Sequence, residues 1–423
     1  MSEPNYDVDT PEELDEIIPD SIEESQFEIK LVTKLSEKFV IPSDKIVVPG
    51  GLTRLDLSEL VNDSLSLPSR VPFDFLINNE FLRGSIAVHC AERGILSEKT
   101  VEIEYVIAME EPESNDFTEP QKEWISGFAL TEASLFTSSV DGILSRYDSK
   151  TGKQLCTSAQ SSLPLTGVAC SDHGIVITVG KDGFVRFSNS DSLEVVALGK
   201  VEGGLRSVAL CPFDQTLTLT GSISGTVHLW NVPIVQTKEN KKKRSSATTV
   251  ESRAIALETS SPIVGISWVS LSRAIAACED GTVHIFDPIS TEAFPTIATN
   301  RAITAMTSLG DAKVVTGHPD GRVIFWDMKK EGRSVNLEAV NSCRSHGRSI
   351  TCLSNRPGSE FLVASSSIDG CIKLFDSRAS HFAIQSVSLP SDERALAVRW
   401  VDEDRFISGG SDGIVRMHTI KLE

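Results

Sequence analysis

The sequence predicts a mainly β protein: a small α+β domain followed by seven copies of a strand-rich repeat. Three observations carry this. Acid-Gly or Ser-Gly pairs recur after residue 123 at intervals of 41, 42, 56, 40, 49 and 43 residues. Each pair is followed by a short strand of alternating hydropathy, as in "DGTVHIFD" and "DGRVIFWD". Ahead of the repeats, about 80 residues switch between the period of a strand and that of a helix.

Residues 1–26 hold ten acids, no Lys or Arg and few large apolar groups, which predicts a disordered tail. Its acids stand where a signal peptide needs a basic region and an apolar core. Residues 27–107 read as the small domain. "FEIKLVT" alternates Phe27, Ile29, Leu31 and Thr33, and "KFVIPSDKIVVPG" is a second strand interrupted by a turn. In "TRLDLSELVNDSL", Leu57, Leu60, Val61 and Leu65 mark one helical face. "PFDFLINNEFLRGS" is a hairpin: Phe73, Phe75 and Ile77 share a face, and Asn78-Asn79 supply two residues that tolerate positive φ. Glu80 follows at the tip. "SIAVHCAERGIL" is a short helix or turn, and "TVEIEYV" is the closing strand. That order is the order of a ubiquitin-like β-grasp domain. Residues 108–122 read as a linker.

The repeats occupy residues 123–423. Their turn pairs begin at Asp141, Asp182, Ser224, Asp280, Asp320, Asp369 and Asp412. Six positions beyond stand Tyr147, Ser188, Trp230, Phe286, Trp326, Phe375 and His418, followed by Asp148, Asn189, Asn231, Asp287, Asp327, Asp376 and Thr419. The turn aspartates read as structural, since a carboxylate there bonds the backbone N–H groups that a tight turn leaves unpaired. His346, just before an inner strand, is placed to bond toward Asp369. The interval of 56 contains a polar insertion, a basic loop at 234–252 whose run Lys241, Lys242, Lys243, Arg244 is a candidate nuclear-import address. The chain ends on "GIVRMHTIKLE", a third strand, so the outer strand of the last sheet must come from ahead of the first repeat.

A formal net charge of −19 argues against broad binding to nucleic-acid phosphates. No apolar run approaches the roughly 18 residues that span a bilayer, so no membrane role is expected. The eight cysteines include no C-x-x-C and read as reduced, buried thiols. No nucleophile elbow, phosphate loop or zinc-protease helix occurs, so the expectation is a binding protein and not an enzyme.

A turn of D-G type and a strand ending in an aromatic-Asp pair, at a period of 40–45, resemble the WD-repeat β-propeller. Seven copies would close a ring in which each blade buries faces it cannot bury alone. Ser224, Ser188, His418 and Thr419 depart from the pattern and mark degenerate blades. With "PFDFLINNEFLRGSI" and "TVEIEYV" ahead of the repeats, residues 27–423 resemble the WD-repeat subunit of the PeBoW ribosome-biogenesis complex, a relative of Notchless. The resemblance implies a propeller docked on the block-of-proliferation protein, with pescadillo in the same complex, on pre-60S particles in the nucleolus and nucleoplasm. It implies that midasin, an AAA ATPase, grasps the ubiquitin-like domain through a Mg²⁺ held in its MIDAS domain. Glu80 matches the acidic residue that completes that metal's shell, and Asn78, Asn79, Phe81 and Arg83 would shape the docking surface. The chain itself would hold no cofactor. A substrate adaptor in ubiquitin ligation is the alternative that the same two-domain order allows.

Overall fold

The computed structural model describes residues 25–420, apart from 36, 43–44, 66–68, 96–99, 234–246, 256, 258, 260, 291–295, 332–333, 380–382 and 391–392. Residues 1–24 of the expected acidic tail and the run Lys241–Arg244 therefore lie outside the described residues, while Gln26, expected as the tail's last residue, already belongs to the first strand. The chain divides into two compact units, Met1–Ala108 and Met109–Glu423.

Unit 1 is a five-stranded sheet with two helices. Its strands are β1 (Gln26–Val32), β2 (Lys45–Pro49), β3 (Phe73–Ile77), β4 (Glu80–Phe81) and β5 (Val101–Ile107), in the order β2-β1-β5-β3-β4. β1 runs parallel to β5 and antiparallel to β2, and β3 runs antiparallel to β5. The helix Arg54–Leu65 lays Leu57 and Val61 into a core shared with Phe27, Ile29, Phe73, Phe75, Ile103 and Tyr105. Tyr105 satisfies its hydroxyl inside that core by donating to the Phe39 carbonyl at 2.6 Å. "SIAVHCAERGIL" resolves into the helix Ile86–Glu92, capped by the Ser85 hydroxyl, which accepts from the Val88 N–H.

Unit 2 is built of seven sheets among the described residues, antiparallel but for one added strand. Each places consecutive strands side by side, as in Leu362–Ser367 between Ile350–Asn355 and Cys371–Asp376. The first strands of successive sheets pack against each other, and Ala395–Trp400 of the last packs against Ile125–Leu130 of the first. At the glycine of every repeated pair φ is positive, from 70° at Gly413 to 91° at Gly281. Six turn aspartates accept a hydrogen bond from the backbone N–H two residues on, for example Ile143 to Asp141 and Phe184 to Asp182. The turn chemistry that spaces the repeats is therefore one device used six times, with the Ser222 and Ser224 hydroxyls in contact at the seventh turn.

Two stretches depart from expectation. Residues 108–122 are not a free linker: β6 (Glu113–Asp116) pairs with Val415–Thr419 as the outer strand of the last sheet. Its alternation is invisible because all four residues are exposed and polar. The insertion expected at 234–252 also ends inside the fold. Thr248–Thr249 pairs in parallel with Val195–Lys200 of the second sheet, before Arg253–Ile255 completes the third.

Candidate functional site

The candidate site is the β3–β4 hairpin. Phe73, Phe75 and Ile77 are buried, and this face fixes the strand that carries the turn. Asn78 and Asn79 adopt φ of 51° and 67°, the left-handed pair that a two-residue hairpin turn requires. Ile77 then faces Glu80, and Leu76 faces Phe81. The Leu82 N–H bonds back to the Phe75 carbonyl at 2.8 Å, so the chain leaving the turn is tied to the strand entering it.

Glu80 is less free than a turn residue at the tip. Its side chain is 41% exposed, and Oε2 accepts from Nε of Arg93 at 2.6 Å. Arg93 caps the C-terminus of the helix Ile86–Glu92, so the carboxylate is braced by a second element that sequence reasoning did not connect to it. Oε1 of Glu80 has no hydrogen-bond partner among the described residues, which leaves one oxygen open. Beneath the pair lies His89, whose imidazole is pushed down from its ordinary value by burial and by the Arg93 charge, with Glu80 and Glu92 pulling upward.

The neighbours divide. Asn78, Asn79 and Arg83 are exposed. Phe81 is buried, contrary to its expected place on a docking surface, because its strand partner Leu76 turns it inward. Its ring carries the Arg83 guanidinium 5.1 Å from the centroid, so the surface at this point is the arginine. Among the described residues no cluster of three His, Cys, Asp or Glu side chains is placed to hold a metal ion. The hairpin offers one carboxylate oxygen.

In unit 2, His346 bridges Asp369 and Ser365: Nδ1 lies 2.9 Å from Asp369 Oδ2 and Nε2 2.7 Å from the Ser365 hydroxyl. Burial raises the Asp369 carboxyl, but hydrogen bonds from His346 and the N–H groups of Cys371 and Gly347 outweigh it and hold the group well below the carboxylate range. His418 takes the aromatic's place in the last sheet, stacked on Phe406, with its nitrogens 2.7 Å from Ser408 and Ser114. Asp182 and Asp412 each meet an arginine four residues on, Arg186 and Arg416. Asp320 receives Arg322 and Arg301. These groups are buried or internally paired and present no reactive constellation.

The NLE (NUC135) domain model matches residues 27–90, and the WD domain, G-beta repeat model matches residues 197–231 and 337–376. The chain is 27% identical over 444 residues to the ribosome biogenesis protein WDR12 homolog of Chlamydomonas reinhardtii, covering 94% of this chain and 98% of that protein. The WDR12 homolog of Drosophila persimilis is 27% identical, with 93% and 95% covered. The ribosome biogenesis protein YTM1 of Coprinopsis cinerea is 25% identical, with 91% and 93% covered. The chain thus carries an NLE domain and WD repeats, and is similar to ribosome biogenesis proteins over most of its length.

Proposed function

We propose that this NLE-domain and WD-repeat chain is a non-enzymatic assembly factor of the large ribosomal subunit. In this reading unit 1 is a ubiquitin-like domain and unit 2 a seven-bladed propeller, together the scaffold subunit of the PeBoW complex. Unit 2 binds the block-of-proliferation protein, with pescadillo in the same assembly, on pre-60S particles in the nucleolus and nucleoplasm. Unit 1 is the handle by which midasin pulls the complex away.

The observation that carries the reading is Glu80. It stands directly after a left-handed two-residue turn, with one carboxylate oxygen braced by Arg93 and the other open. A Mg²⁺ held by the partner is a hard cation that takes oxygen ligands at about 2.1 Å in an octahedral shell. A braced carboxylate suits it, because a free Glu side chain would lose about 1.5–2 kcal/mol of rotamer freedom on being fixed. Exposed Asn78, Asn79 and Arg83 frame the approach.

The test is binding of the full chain to the midasin MIDAS domain, with Mg²⁺ and with a chelator. Wild-type binding requires the metal. Glu80→Ala removes the ligand, Glu80→Asp withdraws it by one methylene, and Glu80→Gln removes its charge; all three bind weakly, while capture of the block-of-proliferation protein is unchanged. Normal binding by Glu80→Ala sinks the mechanism. Co-purification of large-subunit precursors, as against cullin machinery, separates this reading from a ubiquitin-ligase adaptor.

A further inference from the structure

We infer that the segment Met109–Thr118 is a tension-bearing latch: load applied to unit 1 peels β6 from the last sheet before any other part of unit 2 yields. The inference rests on the reading that unit 1 is pulled; the mechanics rest on the pairing described above.

The two units are joined covalently at Ala108–Met109, so the chain delivers a pull on unit 1 to unit 2 at Met109. There the chain is fastened in series. Gln385 donates to the Met109 carbonyl at 2.6 Å, and Met109 packs against the core of the sixth and seventh sheets. Ser114 meets His418 at 2.7 Å, and Asp116 meets Arg416 at 3.1 Å. Thr118 accepts from the Val415 N–H at 3.2 Å. All four residues of β6 itself are exposed, so apolar burial fastens the segment only outside the strand, as at Met109 and Phe117.

The register makes the latch the weak link. Antiparallel hydrogen bonds lie perpendicular to their strands. A force along the strands loads every bond at once, and a force at one end loads them one at a time. In unit 1, β3 faces β5 with Phe73 opposite Ile107 and Ile77 opposite Ile103. A pull that enters beyond Ile77 and leaves at Ile107 therefore acts at opposite ends of the pair and shears it, and a pull that enters at Gln26 does the same to β1 and β5, which run parallel with Ile29 opposite Val101. In unit 2, Glu113 lies opposite Thr419, so the end of β6 that receives the pull is the end at which the partner strand finishes. Peeling then proceeds from Glu113 through Ser114 to Asp116 and leaves Val415–Thr419 with an open edge. The pull that removes the protein would thus also open the unit that holds its partner.

Optical tweezers on the full chain, with handles at its two termini and neither partner nor metal present, test this apart from the Glu80 mechanism. The expected trace begins with a short step of about 3.4 Å per freed residue for the latch alone. The combined Ser114→Ala and Asp116→Ala variant moves that step to lower force. An oxidised Asn115→Cys, Met417→Cys pair, whose Cα positions face each other across the strands, shortens the step to the residues ahead of 115, and reduction restores its full length. A first step that releases all of unit 1, insensitive to both changes, overturns the latch. If the tweezers find the latch but Glu80→Ala binds midasin normally, the latch stands and the source of the load is another.

Discussion

Single residues carry most of what the repeats need. Asp369 accepts from His346, Cys371 and Gly347, whereas Asp141 accepts from Ile143 alone among the described residues. An orphaned buried donor costs about 1–3 kcal/mol. Asp369→Ala should therefore lower unit 2 stability by more than 2 kcal/mol, and Asp141→Ala by about 1, as denaturant midpoints would show. His418 makes a pH prediction. Burial, aided by the Arg416 charge, pushes its pKa from 6.5 down to about 3. As pH falls below 6.5 the unfolded chain takes up the proton that the folded chain refuses. The stability it contributes is thus complete above that pH and is lost between 6.5 and about 3. The slope should be about 1.4 kcal/mol per pH unit, and His418→Gln should flatten it. Equal slopes would exclude His418 as the titrating group. At this scale the turn aspartates and the place of Glu80 directly after its turn were legible, because turn chemistry is local. Arg93 was not: its contact joins a helix end to a hairpin 13 residues away.

Elements were legible where sequence pattern and burial agree. The alternation of Phe73, Phe75 and Ile77 marks a buried strand face, and Asn78-Asn79 marks its turn. β6 carries no such pattern, since an outer strand with every residue exposed has nothing to alternate. Only the count of strands in the last repeat pointed to it. Thr248–Thr249 gave no sign at all, because a two-residue parallel strand is defined by the neighbour it joins. The turns make a further prediction. At Gly321, φ is +79° and an added Cβ would stand 2.1 Å from the His346 carbonyl oxygen. At Gly94, φ is +64° but the space is open. Gly94→Ala should cost only the left-handed penalty of about 1–2 kcal/mol. Gly321→Ala must also move backbone and should cost clearly more. Similar melting temperatures for the two would contradict this.

At the scale of the molecule, two units with separate cores imply separable tasks, and the position of the boundary decides how to separate them. A cut after residue 122 looks natural from sequence, yet it would remove β6 and leave Val415–Thr419 unpaired. A fragment beginning at Met109 keeps the Gln385 bond and the whole latch. Under the proposed function we expect residues 109–423 to fold, to capture the block-of-proliferation protein, and to resist release, since unit 1 is gone. Expressed beside the intact protein, this fragment should trap precursors of the large subunit and act as a dominant negative. Residues 119–423 should melt lower and capture less partner, because an open sheet edge replaces a paired one. Partner capture, thermal melting and precursor profiles of the two fragments together decide the matter. If 109–423 folds but captures no partner, the division of labour between the units is wrong. If 119–423 is as stable as 109–423, the segment ahead of the repeats is a linker after all.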